Sequence, residues 1–335
     1  MAPDSFDDRL QSVAATIRDY EPGQALPLDA DQPILLGELN VLLRRFYFSR
    51  ARVKEALGRF LDELFAGHTL REILPHVAFL RIQRRGESQA AMLALADEVL
   101  RERHGASMAE CGTAAIPSTY VYLDDAVYTG NRLRYDLTDS RAGDTPAWIA
   151  RSAPPGCRLL IYVLGCHVAG WSYAARYIRR EAARRRISWD WRAELLIDNR
   201  RVRGGKAHCL WPEPQTGSPH VEAVVRQLCA EARNSATPRA LFRPLGTPPE
   251  ETLFSSLRNR GVVERALLRA GARLSLTQAR HPHHRPLGYE VIPSLGFGTM
   301  FVTYRNIANN CPLALWWGHS FGWRPLFPRT VNADG

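Results

Sequence analysis

Lysine is almost missing from this sequence: Lys54 and Lys206 are the only two, so nearly all of its 44 basic residues are arginines. Arginine richness can reflect genome composition, so where the charge sits says more than its total. The six cysteines (Cys111, Cys157, Cys166, Cys209, Cys229 and Cys311) contain no CxxC and no paired spacing. That excludes a zinc ribbon or a disulfide framework and leaves buried free thiols. No apolar run approaches the roughly 18–20 residues that a bilayer span requires. The opening MAPDSFDDRL carries acids where a secretory signal would carry basic charge. A cytoplasmic protein without a membrane segment is expected. GxSxG, Walker and HExxH patterns, internal repeats and low-complexity tracts are also missing.

What is present is ordinary globular material, with 45% apolar and 23% charged residues over 335 positions. The length is more than twice that of a usual domain. The formal charge is +10, from 44 basic residues against 34 acids. Between Trp171 and Lys206 stand eleven Arg or Lys and four acids, a local +7 in about a tenth of the chain. A field that concentrated favours anionic partners such as nucleic acid, nucleotides or an acidic protein face.

Residues 1–75 read as a helical extension, either winged-helix-like or a cap on the main domain. Leu10, Val13, Ala14 and Ile17 form one stripe; Leu35, Leu36, Leu39, Leu42 and Leu43 form a second. Val53, Leu57, Phe60, Leu61 and Phe65 form a third. From His76 the pattern turns to strands alternating with helices. HVAFLRIQ, STYVYLDD (118–125), CRLLIYVLG (157–165) and AELLID (193–198) read as strands. Helices are expected from Ser88, as N-cap, to about Arg103, and from Trp171 to about Arg186. This predicts a doubly wound, mostly parallel α/β sheet. Helices over 220–233 and 250–270 and two final strands, GYEVI and TMFVTY, complete the pattern.

The most informative stretch is Tyr120-Val121-Tyr122-Leu123-Asp124-Asp125-Ala126-Val127-Tyr128-Thr129-Gly130-Asn131-Arg132. A strand ends in two acids, and a Thr-Gly loop then opens a helix. Ligands of such sheets bind beyond the carboxyl ends of strands. Adjacent carboxylates accept hydrogen bonds from vicinal hydroxyls, and backbone N–H groups around Thr129-Gly130-Asn131 suit a phosphate. A diol and a phosphate at that separation describe a ribose 5-phosphate.

The stretch resembles the 5-phosphoribosyl 1-pyrophosphate (PRPP) motif of type I phosphoribosyltransferases. The resemblance implies that Asp124 and Asp125 hold the ribose hydroxyls and that Ala126 to Arg132 cradle the 5-phosphate. Tyr128 departs from the small residue common there. Arg84, Arg85, Gly86 and Ser88 lie at the preceding strand-to-helix turn, where such enzymes bind the pyrophosphate. Two arginines beside a glycine suit a diphosphate; a solvated basic turn is the alternative.

Farther on, PLGYE (286–290), GFGT (296–299) and the run from Tyr304 through Asn309-Asn310-Cys311-Pro312-Leu313 to Trp316-Trp317-Gly318 are similar to the tail of phosphoribosyltransferase-like effectors of bacterial conflict systems. The similarity extends, with gaps, over about 35–320. It implies a Rossmann-like type I phosphoribosyltransferase core over 76–320 with a C-terminal hood, followed by a tail over 321–335. It also implies Mg2+ and PRPP or another ribosyl phosphate as ligands, and a toxic role in antiphage defence. The partner would be a retron reverse transcriptase with its msDNA, or another defence protein. Asn309 and Asn310 offer amides, and Trp316 and Trp317 offer stacking faces, to a base or acceptor; equally, the tryptophans fill the core.

Arg176, Arg179, Arg180, Arg184, Arg185 and Arg186 form a basic helix that either contacts the phosphates of a polynucleotide or is a solvated or oligomer face. His281, His283 and His284 fit a Pro-rich surface loop better than a metal site. The reading that unites these features is a Mg-dependent phosphoribosyltransferase acting as a growth-arresting effector. Its rival is a non-catalytic ribosyl-phosphate sensor or an RNA- or DNA-binding partner subunit.

Overall fold

The computed structural model of the protein describes residues 32–83, 88–138, 147–202, 205–215, 217–233, 240–277, 281–317 and 325–327. The stripe Leu10–Ile17, the 84–87 turn and most of the 321–335 tail lie outside them. The chain divides into two compact units, one of residues 51–197 and one of residues 1–50 with 198–335. The helical stretch expected over 1–75 is therefore shared between them: the helix Gln32–Phe46 falls in one and nearly all of Arg50–Phe65 in the other.

Along the chain the strands are β1 (Tyr47–Phe48), β2 (Val77–Phe79), β3 (Thr119–Val127), β4 (Arg158–His167), β5 (Ser188–Ile197), β6 (His284–Arg285), β7 (Gly288–Tyr289) and β8 (Val302–Thr303). The 51–197 unit is built on a four-stranded sheet in the order β2-β3-β4-β5, every pair parallel. Such a sheet has both faces covered, and its central strands are apolar throughout; β4 is buried along nearly its whole length. On one face Tyr122, Ile161 and Val163 meet Leu133, Leu137, Ile149, Trp171, Ala174 and Ile178 from the helices Asn131–Leu137, Trp148–Arg151 and Val168–Arg185. On the other, Phe60 packs on Tyr162 at 4.3 Å, and the helix Ser88–His104 lies against β3. Lys54 bridges to Glu98 and Glu102, and Arg103 to Asp62, joining the Arg50–Phe65 and Ser88–His104 helices.

In this sheet β2 and β5 depart most from the extents read in the sequence. β2 is short because, after Leu80, the N–H groups of Ile82 and Gln83 donate to the side chain of the buried Gln89 rather than to a neighbouring strand. β5 begins five residues earlier than expected. Its first half, Ser188-Trp189-Asp190-Trp191-Arg192, alternates between exposed and half-buried positions, as an edge strand does. All six cysteines are free, and four are buried.

In the other unit the helix Gln32–Phe46 leads into β1, which pairs in parallel with β8. Helix Leu257–Thr277 packs against Gln32–Phe46 and against Pro219–Arg233. Glu38 accepts hydrogen bonds from the Ser255 N–H (3.0 Å) and the Asn259 amide (2.8 Å), fixing that approach. The expected strands GYEVI and TMFVTY shrink to the two-residue β7 and β8; β7 forms a small antiparallel hairpin with β6. Among the described residues no helix is long and apolar enough to cross a membrane.

Candidate functional site

Strand β3 does not stop at its acids. Its ladder with β4 continues through Ala126↔Gly165 and Val127↔Cys166, so the expected loop over 126–132 is reduced to Tyr128, Thr129 and Gly130 before the helix begins at Asn131. Thr129, Asn131 and Arg132 are exposed, and Asp125, Ala126 and Tyr128 are half-buried. The ring of Tyr128 lies 5.1 Å from that of His167, the last residue of β4. His167 is fully buried and bonds through Nδ1 to the Val127 carbonyl at 2.9 Å. Burial pushes its pKa down to about 4, so the ring is neutral, and the bond to a carbonyl assigns the proton to Nδ1.

Gly130 adopts the left-handed conformation (φ 80°), and a Cβ there would sit 2.1 Å from the Gly170 carbonyl oxygen. A Cβ on Gly170 would reciprocally meet the Tyr128 carbonyl. The glycine of the Thr-Gly pair is thus required where the loop touches the first turn of the Val168–Arg185 helix, a packing reason the sequence did not disclose.

Asp124, with 4% of its surface exposed, sits in a dense polar cluster. Its Oδ1 accepts from the Ser88 hydroxyl (2.5 Å) and the Asp125 N–H (2.8 Å). Its Oδ2 accepts from the Gln83 amide (2.7 Å) and the Tyr122 hydroxyl (3.1 Å). The same amide and hydroxyl also reach Asp136 Oδ2, at 3.1 and 2.8 Å. Burial raises Asp136 to about 6, against the hydrogen bonds of Tyr122 and Gln83, and raises Tyr122 well above its ordinary value. One phenolic proton cannot serve two carboxylates. In its protonated form Asp136 donates to the Tyr122 oxygen, which frees Tyr122 to donate to Asp124.

Ser88 was expected to cap its helix, but it is the first helical residue, and its hydroxyl serves the buried carboxylate instead. The hydroxyl donates there to a charged acceptor in a low-dielectric setting, which makes a stronger bond than a neutral one. Gln83, Tyr122 and Asp136 were missed as site residues. The signal available was the two-residue spacing that puts Tyr122 on the same strand face as Asp124.

The chain matches the sequence model of the PRTase-CE family over residues 28–329. It belongs to that family. No curated protein and no solved structure gave a match. PRTase-CE proteins are phosphoribosyltransferase-like effectors, and the parallel β2-β3-β4-β5 sheet flanked by helices is the Rossmann-like core of this one.

The remaining candidates from the sequence fall as follows. Arg84, Arg85 and Gly86 lie outside the described residues. Asn310 is buried, and its amide donates to the Tyr289 carbonyl at 2.9 Å, while the Asn309 carbonyl accepts from the Tyr289 N–H at 2.7 Å. In this PRTase-CE chain the pair clamps β7. Gly288 (φ 107°) allows that approach, since a Cβ would lie 2.2 Å from the Asn310 oxygen. Trp316 is buried, and its indole donates to the Cys311 carbonyl (2.8 Å); its ring meets Trp317 edge-on at 5.3 Å. His281, His283 and His284 cluster with Tyr289, and among the described residues no three His, Cys, Asp or Glu could hold a metal ion.

On the Val168–Arg185 helix, Arg180 and Arg184 both pair with Glu181, and Arg185 donates to the Ala150 carbonyl. Arg176 and Arg179 are exposed, and Arg176 lies over the Tyr173 ring. Arg134 sits 4.2 Å over Tyr177.

Proposed function

We propose that this PRTase-CE chain binds PRPP at the acidic end of β3 and transfers or hydrolyses its phosphoribosyl group to arrest growth, as an effector of antiphage defence. The observation that supports this reading is the Asp-Asp pair near the end of a central parallel strand with the Thr-Gly pair in the loop that follows, within a family of phosphoribosyltransferase type. In the reaction the bond between ribose C1 and the pyrophosphate oxygen breaks. A bond from C1 to the acceptor (a base, a nucleotide, RNA or water) forms, and the acceptor's proton leaves to solvent or a base. Carboxylate charge near the ring favours the oxocarbenium character of that transition state. Mg2+ takes oxygens from one or two carboxylates and from substrate phosphates; the half-buried Asp125 carboxylate suits it, and the ion would neutralise the leaving pyrophosphate. A retron reverse transcriptase with its msDNA, or another defence protein, is the partner such a role calls for.

The exposed Arg176 and Arg179 favour a second reading, in which a ribosyl phosphate bound at the same place controls a contact with RNA or DNA without turnover. Purified protein given PRPP and Mg2+ separates the two. Both readings expect a higher melting temperature, since a ligand at about 100 times Kd stabilises the folded state by roughly 2.7 kcal/mol. Pyrophosphate release supports transfer or hydrolysis, and stabilisation without release supports the sensor. An unmoved melting curve with both PRPP and ribose 5-phosphate at millimolar concentration contradicts both.

A further inference from the structure

We infer that the acidic pair divides its work: Asp125 meets the ribose hydroxyls, whereas Asp124 is a positioning residue that sugar does not touch. The inference rests on the ribosyl-phosphate reading above and goes beyond the motif, which treats the two acids alike.

A carboxylate has about four lone-pair sites. Three of those of Asp124 are taken up within the protein, by Ser88 Oγ and Asp125 N–H at one oxygen and by Gln83 Nε2 at the other, and Tyr122 OH fills the fourth when Asp136 holds its proton. Asp124 is 4% exposed, and a ribose hydroxyl could bond it only by entering this buried cluster and competing with its donors. Asp125 retains more exposure than Asp124. The Asp125 N–H to Asp124 Oδ1 bond is the direct link between the two: it fixes the backbone that carries the ligand-facing acid.

The donors around Asp124 are anchored in turn. Ser88 opens the helix that packs on β3, and Gln83 is held through its own N–H to Gln89 Oε1 (3.1 Å), while its Oε1 accepts from the Gln89 N–H (3.2 Å). Tyr122 is fully buried on β3 itself. Asp124 therefore joins three separate places, the start of a helix, the segment after β2 and the ligand strand, at one buried carboxyl group. Its removal slackens the frame under the whole ligand strand without deleting any group that discriminates between sugars.

Discrimination between ribose and 2-deoxyribose supplies the test, because it reads contact with the diol rather than folding. Ribose 5-phosphate and 2-deoxyribose 5-phosphate are titrated calorimetrically into the full chain well below its melting temperature. The wild type should prefer the ribose form by about tenfold, the worth of one hydrogen bond to a charged group. Asp125→Asn should reduce that preference to near unity. Asp124→Asn should weaken both sugars alike and keep the preference. Ser88→Ala should do the same to a smaller degree, and Ser88→Thr, which restores the hydroxyl, should recover affinity. Should Asp124→Asn not fold, the two Ser88 variants carry the test.

Loss of the preference in Asp124→Asn or Ser88→Ala would place that acid on the diol and overturn the inference. So would an intact preference in Asp125→Asn, or unchanged affinity for both sugars in Asp124→Asn. Wild type that binds neither sugar phosphate nor PRPP contradicts the ribosyl-phosphate reading itself, a different result from any of these.

Discussion

At the acidic half of β3, Asp124 and Asp136 are buried among neutral donors: a phenol, a primary amide and a serine hydroxyl. Around the Leu257–Thr277 helix, in the other unit, Glu264 and Glu251 are buried against guanidinium groups. Arg260 gives Glu251 two hydrogen bonds, at 2.5 and 3.0 Å, and Glu264 one at 3.1 Å. Arg243 joins Glu264 to Glu213. Arg260 is wholly buried, with its guanidinium 4.8 Å from the Phe254 ring centre. Glu251 and Asp136 shift in opposite directions as a result. Burial works to raise Glu251, yet the hydrogen bonds and charge of Arg260 hold it below its ordinary range. Burial raises Asp136 to about 6, with the exposed Arg132 only a weak counter-charge. Arg260 holds Glu251 in its charged state, whereas full burial raises Glu264 in the same network. The neutral-donor cluster leaves the Asp136 carboxyl close to titration, which is where proton- and ligand-responsive groups are found.

The largest effect expected from this contrast is on the guanidinium side. Arg260→Met leaves Glu251 and Glu264 buried without their main partner, and loss of one member of a buried pair costs about 3–5 kcal/mol. Urea unfolding of the variant should show it, and a loss below about 1 kcal/mol would mean the network is dispensable.

Asp136→Asn should act in the opposite direction. Its carboxyl has a folded pKa of about 6 against an ordinary 3.8. Below 3.8 both states are protonated and nothing is lost; as pH rises through about 6 the folded state holds its proton longer, and stability falls. The variant removes that loss, so it should be more stable than wild type at pH 7 by up to about 3 kcal/mol, with the gain gone near pH 4. Equal gains at both pH values would remove the carboxyl titration as the cause.

The smallest effect concerns the basic helix. With Arg180 and Arg184 engaged by Glu181 and Arg185 by a carbonyl, Arg176 and Arg179 are the better phosphate contacts. Neutralising those two should flatten the slope of log K against log salt for duplex DNA by about 2. An unchanged slope assigns the helix charge to another purpose.

Much of the fold was legible because it rests on periodicity. The stripe Val53, Leu57, Phe60, Leu61 and Phe65 is the buried face of a helix, and the apolar runs at 118–125 and 157–165 are the two central strands. What failed depended on partners distant in sequence. GYEVI and TMFVTY look like strands, but several of their backbone N–H groups bond to loops: Tyr289 to Asn309, Glu290 to His283 and Thr303 to Asn306. The acidic pair was visible as a motif. The distinction between its members was not, because Ser88, Gln83 and Asp136 reach Asp124 and Tyr122 only through the fold. Gly130 was read as part of a phosphate cradle; the Gly170 carbonyl that it faces belongs to a helix forty residues on and came only with the fold.

The claim on which the rest depends is that the end of β3 is the ligand site, and amide hydrogen exchange tests it most directly. With PRPP and Mg2+ added to the full chain, exchange should slow over Asp124 to Arg132, while the amides of helix Val168–Arg185 beyond its first turn stay unchanged. Protection confined to that helix or to the C-terminal half, with none over Asp124 to Arg132, would contradict the account.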